Sequence, residues 1–168
     1  MSVLLRAAQV ADIFRMQEIE RAAVELFRGS ELIDIDQTSV ASLDDHEATI
    51  RQGLSFVAET EGRIAGFAMG EMHFDDAYLH ELDVDPAFGK RGIGAMLVRR
   101  FVSGARAKGA RAVYLSTFRD PPWNAPFYRK LGFEDVARGD YLRWMSAIEA
   151  EQAKFLDVNT RVFMRLGL

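Results

Sequence analysis

The feature that most restricts this chain is the junction between residues 79 and 101, where a β-forming run meets proline, then closely spaced glycines, then a helical stripe. Leu79 to Val84 reads as a strand, and Asp85-Pro86 ends it because proline lacks the N–H that a ladder requires. Gly89-Lys90-Arg91-Gly92-Ile93-Gly94 then turns the chain. Beyond it Ile93, Met96, Leu97 and Phe101 recur at the spacing of a buried helix face, until Gly109 stops the helix. A strand that passes through glycines into a helix presents unpaired backbone N–H groups at the positive end of the helix dipole. That geometry suits a phosphate, although structural glycines at a tight strand-to-helix turn have the same appearance.

Two phosphate motifs can be tested against the turn, and neither fits. A nucleoside-triphosphate loop needs Lys and then Ser or Thr after its last glycine, whereas Gly94 precedes Ala95-Met96. A dinucleotide-binding turn needs a further glycine three residues on, and position 97 is Leu.

The remaining elements follow from periodicity. Val3 to Arg6 predicts a first strand, and Ile13, Met16, Ile19, Ala23 and Leu26 a helix stopped at Gly29. Ser42 with Asp45 opens a short second helix that ends at Gly53. Leu54 to Ala58 and Arg63 to Phe74 form a hairpin around the turn Glu59-Thr60-Glu61-Gly62. After the central helix come a strand at 112–117, a short helix at 124–131, a strand at 133–137, a helix at 141–155 and a terminal strand at 160–166. Antiparallel hairpins followed by a strand–helix–strand unit predict an α/β fold with a mixed sheet. The length of 168 residues, with no repeat or linker, predicts a single domain over 1–168.

Composition narrows the function classes. The absence of cysteine excludes disulfides, thiolate metal sites and a cysteine nucleophile. A net charge of −4 disfavours broad attraction to nucleic acid. In the basic cluster Lys90, Arg91, Arg99, Arg100, Arg106 and Lys108, the part from Arg99 to Lys108 reads mainly as a solvated helix face, while Lys90 or Arg91 can add charge at the edge of the turn. No apolar run is long enough for a membrane span and no secretion signal precedes Val3, so the expected setting is cytoplasmic with no membrane partner. His46, His73 and His80, with Asp75 and Asp76, match no common ligand spacing, and no metal is expected.

With its flanking Leu82-Asp83-Val84-Asp85-Pro86 and Ala95-Met96-Leu97, the turn resembles the pyrophosphate-binding motif of the GNAT superfamily of N-acetyltransferases, with Gly89 where that motif begins with Gln or Arg. Asn124-Ala125-Pro126-Phe127-Tyr128-Arg129-Lys130-Leu131-Gly132-Phe133 is similar to the second conserved segment of that family. The resemblance implies a largely antiparallel central sheet of about six to seven strands with about four to five helices, splayed between the fourth and fifth strands. It implies acetyl-CoA as acetyl donor, held by Leu82, Asp83 and Val84, by Gly89, Lys90, Arg91, Gly92, Ile93, Gly94 and Ala95, and by Asn124, Phe127 and Tyr128. It also implies Tyr128 as the proton source for the departing thiolate.

Attack by an amine needs a neutral nucleophile, and Glu81 is the first candidate for the base. His80 is the alternative, but strict alternation puts it on the opposite face, so both reach one cleft only if the strand carries a bulge. Asn124 suits either the pantetheine amides or a helix cap. Glu25, Asp34, Asp36, Asp44 and Asp45 read as solvated surface or as an acidic rim favouring cationic amines. The expected reaction is direct acetyl transfer to a primary amine of a small molecule. A protein N-terminus or lysine as acceptor, and a non-catalytic acyl-CoA sensor, are the alternatives. A homodimer is compatible with the sequence.

Overall fold

The computed structural model describes residues 2–168, and one seven-stranded sheet runs through them in the order β1-β2-β3-β4-β5-β7-β6. The strands are β1 Leu4–Ala7, β2 Ser55–Thr60, β3 Arg63–His73, β4 Asp76–Val84, β5 Ala112–Phe118, β6 Glu134–Val136 and β7 Arg161–Gly167. The helices are α1 Ile13–Val24, α2 Leu43–Arg51, α3 Ile93–Ala107, α4 Ala125–Lys130 and α5 Arg143–Gln152. All neighbours pair antiparallel except β4 and β5, which run parallel. The strand number, helix number and mixed sheet thus agree with expectation.

Each face of the sheet is covered for a reason visible in the chain. On one face the apolar stripe Ile93, Leu97, Phe101 and Ala105 of α3 packs on Phe56, Ala68, Leu79 and Val113, with Tyr128 of α4 in the same core. On the other, Met16 and Ile19 of α1 meet Val57, Phe67 and Met69, and Met145 of α5 meets Tyr78, Tyr114 and Phe163. Burying one such phenylalanine contributes about 2–3 kcal/mol.

The element edges differ from expectation where local turn chemistry intervenes. The strand expected from Leu79 begins at Asp76, because Phe74-Asp75 forms a two-residue connection with Phe74 at φ 57°. Glu61 and Gly62, both at positive φ, make the β2–β3 connection, as a type I′ turn demands. The fifth helix is shorter than 141–155, starting at Arg143 and ending at Gln152.

Two irregularities of β4 position the site. Its register with β3 shifts from Met69↔Glu81 to Gly70↔Leu79, so His80 is an extra residue. This bulge needs Gly70, where a Cβ would lie 2.0 Å from the Tyr78 carbonyl oxygen and 2.6 Å from Phe101. Second, β4 and β5 pair only at Ala77↔Val113 and Tyr78↔Tyr114. From Leu79 onward β4 has a free edge on that side, opening a wedge between it and β5.

Candidate active site in the β4–β5 wedge

One wall of the wedge is backbone. Gly92 caps α3 at φ 77°, a left-handed conformation suited to glycine, and nothing lies within 4 Å of the Cβ it lacks. The first helical bond is the Met96 amide donating to the Gly92 carbonyl at 3.1 Å. The amides of Ile93, Gly94 and Ala95 therefore occupy the first turn, where none has an acceptor inside the helix. Gly94 brings this turn against Phe127, with 3.4 Å left for a Cβ, and against Val84. The turn, the end of β4 and the start of α4 thus meet at one place.

The side chains of the turn divide. Gly89 adopts an extended φ of −60°, while Lys90 is exposed with a positive φ of 60°. Arg91 turns toward the β2–β3 connection, where it pairs with Glu61 at 3.1 Å and lies 5.3 Å from the Phe88 ring centre. Ile93 is buried in the core under α3, and Ala95 is half-buried. Leu82 and Val84 pack on that same core from the free edge of β4.

Asn124 precedes α4 but makes no capping bond, and its Oδ1 is buried without a donor. The cap is instead provided by its backbone carbonyl, which accepts from Phe127 at 2.9 Å and Tyr128 at 3.2 Å. Tyr128 is almost fully buried, its ring against Phe127 and Phe133, and its hydroxyl has no hydrogen-bond partner among the described residues. Burial pushes its pKa above the usual phenol value, and Glu81 and then Asp83 are the charges that add most to this.

The opposite wall is made of side chains. Because of the bulge, His80 and Glu81 both leave the face taken by Leu79 and Leu82, which removes the conflict that strict alternation predicted. His80 is exposed, while Glu81 and Asp83 are half-buried and close enough to share a proton. Glu20 of α1 faces them, buried, with its carboxylate accepting from the Ala41 amide at 3.0 and 3.2 Å. Burial, reinforced by Glu81, raises Glu20 to about 8. Burial also raises Glu81, and raises Asp83 well above the usual carboxylate range, Glu81 again adding to the effect on Asp83.

Arg21 of α1 is the arginine that acts on Glu20, and Arg161 of β7 the one that acts on Glu81. Its Nη2 donates to the Ser116 carbonyl at 2.9 Å and to Ser116 Oγ at 3.2 Å, and the guanidinium lies 4.6 Å from the Phe118 ring centre. Its charge acts on Tyr78, Glu81 and Tyr128, and burial lowers its own pKa. Phe118, Phe27 and Trp123 form an aromatic chain at 5.4 and 5.7 Å that ties the end of α1 to the loop before α4.

Glu20 and Arg161 were not among the sequence candidates, and Asp83 was one only as a contact of the cofactor. Glu20 did leave a trace, because it lies four residues from Met16 and beside Ile19 and Ala23 on an otherwise apolar stripe. The acidic residues singled out instead serve local ends and turns. Asp34 accepts from the Asp36 amide, Asp45 forms a capping box with Ser42, and Glu25 pairs with Arg28. His46 is fully buried against Phe67, and neither ring nitrogen has a partner. No cluster of three or more His, Asp or Glu suited to a metal ion occurs among the described residues. Nor is any helix of those residues long and apolar enough to cross a membrane.

Residues 16–133 match the acetyltransferase (GNAT) family, and the chain belongs to it. It is 33% identical over 102 residues to an uncharacterized N-acetyltransferase of Methanocaldococcus jannaschii, a match covering 55% of this chain and 45% of that protein. It is 28% identical over 83 residues to the [ribosomal protein bS18]-alanine N-acetyltransferase of Salmonella typhimurium, covering 49% and 56%. The matched region thus spans about half the length of these curated relatives. Its fold is that of the PaiA N-acetyltransferase from Thermoplasma acidophilum, whose crystal structure contains coenzyme A, with a TM-score of 0.76, 17% identity and 100% coverage of both chains.

Proposed function

We propose that this chain, as one domain over residues 1–168, transfers an acetyl group from acetyl-CoA to a primary amine of a small molecule. The carrying observation is the wedge itself: β4 has a free edge beyond Tyr78, and the end of that strand meets the open amides of α3 and the start of α4, the helix that carries Tyr128. The site suits the donor. A free strand edge offers pairing to the amides of the pantetheine arm near Leu82, Asp83 and Val84. The amides of Gly92, Ile93, Gly94 and Ala95 suit the pyrophosphate, with Lys90 at its edge. The orphaned Asn124 Oδ1 supplies an acceptor for a pantetheine N–H, and Phe127 flanks the turn.

Chemistry then follows from two side chains. Glu81, raised by burial, accepts the proton that the amine loses as the new C–N bond forms. Tyr128, also raised by burial, holds its proton until the C–S bond breaks and donates it to the thiolate. No covalent enzyme intermediate is needed, so the acceptor and the donor occupy the wedge together. A relative that acetylates the alanine of a ribosomal protein makes a protein N-terminus the second reading of the acceptor. The reading includes a cytoplasmic setting. Tyr128→Phe tests it: kcat should fall on the order of 100-fold while acetyl-CoA affinity stays near normal. An unchanged kcat in thiol-release assays would remove Tyr128 from the reaction.

A further inference from the structure

Arg161 carries a positive charge into the acceptor recess, the side of the wedge turned away from α3, and no anion meets it there. Val113, Leu115, Val162 and Met164 pack under α3, while Tyr114 and Phe163 face α5. Alternation therefore sets Ser116, Phe118 and Arg161 on the face away from α3. Strand-edge direction places the guanidinium more closely. The Arg119 amide donates to the Thr160 carbonyl and the Leu168 amide to the Arg111 carbonyl, so the odd-numbered residues of β5 bond toward β7. The Ser116 carbonyl points to the other edge, where β4 no longer pairs. Arg161 Nη2 donates to that carbonyl at 2.9 Å, so the guanidinium has crossed β5 to the lip of the wedge.

There it is fixed but unpaired. Its Nε donates to Ser116 Oγ at 3.3 Å, that hydroxyl donates to Gln152 of α5 at 3.2 Å, and the Phe118 ring centre lies 4.6 Å from the guanidinium. Nη1 has two N–H groups and no acceptor among the described residues, and it is not sealed from the surface. Arg161 forms no ion pair among those residues, whereas Arg6 and Arg15, also half-buried, reach Asp12 at 2.7 Å and Asp85. Arg100, half-buried without an ion pair as well, lies over Phe56 of β2 at 4.1 Å rather than at the wedge. A partly desolvated guanidinium gains from an anion that restores its solvation, and its planar fork fits a carboxylate. The carboxyls of the recess leave this charge uncancelled. Glu20 is turned to the Ala41 amide, and burial raises Glu20, Glu81 and Asp83, which reduces their negative charge at neutral pH.

An acetyl thioester and a neutral amine bring no anion, and the phosphates of the donor are assigned to the α3 turn on the other face. The anion has to come from the rest of the acceptor. We propose that the acceptor is an amine that also carries a carboxylate, an amino acid, and that Arg161 is the specificity residue whose Nη1 binds this carboxylate at the β5 lip of the wedge. This rests on the acetyl-transfer reading above.

The test is acetyl-CoA thiol release with pairs that differ only in the anion: glycine, 3-aminopropanoate and 4-aminobutanoate, each against its amide and compared per neutral amine. In at least one pair the acid should exceed the amide in kcat/KM by about tenfold. Arg161→Gln, which keeps a donor for Ser116, should bring that ratio near one. Arg161→Lys, which keeps the charge without the fork, should retain part of it, and serves as the second variant should Arg161→Gln fail to fold. An arginine that only fastens β7 to β5 would lower acid and amide alike, and an unchanged ratio in either variant would overturn the proposal. Equal rates within every pair would also overturn it, as would acetyl-CoA binding without thiol release from any acid. A preference for an amidated peptide with an N-terminal alanine would overturn it in favour of a protein acceptor. A preference for succinyl-CoA over acetyl-CoA, with no preference for acids, would overturn it by moving the carboxylate to the acyl group. Absence of thiol release with every amine, together with absence of acetyl-CoA binding, would instead defeat the acetyl-transfer reading.

Discussion

The two walls of the wedge are built by different means. The donor wall is backbone from nearly contiguous sequence, running from the end of β4 through Gly92 to the first turn of α3. The acceptor wall is a set of side chains gathered from α1, β4 and β7, residues 20, 81, 83 and 161. In the proposed function the first wall serves groups shared by every acyl-CoA and needs only amides in a fixed arrangement. The second is assigned to the acceptor there, with ionisable groups whose burial is costly. The first wall is built from the chain's local order, the second from its tertiary contacts.

The comparison breaks most severely if one residue can remove the acceptor wall and leave the donor turn. Gly70→Ala places a Cβ where the Tyr78 carbonyl oxygen stands 2.0 Å away, so β4 has to move and the bulge at His80 cannot persist. We expect a loss of about 4 kcal/mol in denaturant unfolding, at the upper end for one substitution. Near-normal stability would mean that the bulge has another cause. Gly92→Asp attacks the opposite wall. It puts a side chain with a negative charge at a left-handed residue facing the helix amides, and acetyl-CoA affinity measured by calorimetry should fall about 100-fold, or about 2.7 kcal/mol. Intact affinity would separate the turn from the pyrophosphate.

What was legible in the sequence follows the same division. The Gly89–Gly94 turn, the proline that stops β4 and the Leu131-Gly132-Phe133 segment are local patterns, and each marks an element end where it was expected. The His80 bulge was legible only as a condition, because alternation put His80 and Glu81 on opposite faces and nothing local inserts the extra residue. It arises from Gly70, ten positions earlier on the neighbouring strand, and from the pressure of Phe101 of α3. Glu20 is a polar exception on the apolar stripe of α1, and Arg161 precedes the buried Val162 of the terminal strand, so no local pattern marks either as part of a site. Only the pairing of β7 with β5, which sets Arg161 opposite Phe118, brings it to the recess.

Electrostatics gives the walls distinct pH signatures. Glu20 carries a raised pKa of about 8 in the fold against 4.5 when unfolded. The folded state therefore binds its proton more tightly, and the contribution is fully favourable below about pH 4.5 and is lost as pH rises toward about 8. Arg21 on its own helix and His80 across from it oppose this shift, and Glu81 reinforces it. Wild-type stability relative to Glu20→Gln should thus decline across that window, by at most about 1.4 kcal/mol per pH unit, in urea unfolding at several pH values. A flat difference would show that Glu20 is not shifted in the fold. Gly92→Ala offers the control, since it adds no ionisable group to a turn that contains no buried carboxyl.

The smallest expected effect is the most discriminating, because Asn124 stands where the walls join and two roles predict opposite outcomes. Were its side chain the cap of α4, Asn124→Ala would cost about 1 kcal/mol of stability. In the structure the side chain makes no capping bond, the backbone carbonyl takes the Phe127 and Tyr128 amides, and Oδ1 is buried without a donor. Replacement by alanine removes an unsatisfied acceptor and disturbs none of those backbone bonds, so stability should hold or rise slightly. The lost contact should appear in the ligand instead, as an increase of about fivefold in the KM for acetyl-CoA with kcat little changed, near 1 kcal/mol of binding. A fall in melting temperature with an unaltered KM would return Asn124 to a purely structural role and leave the pantetheine arm held by the edge of β4 alone.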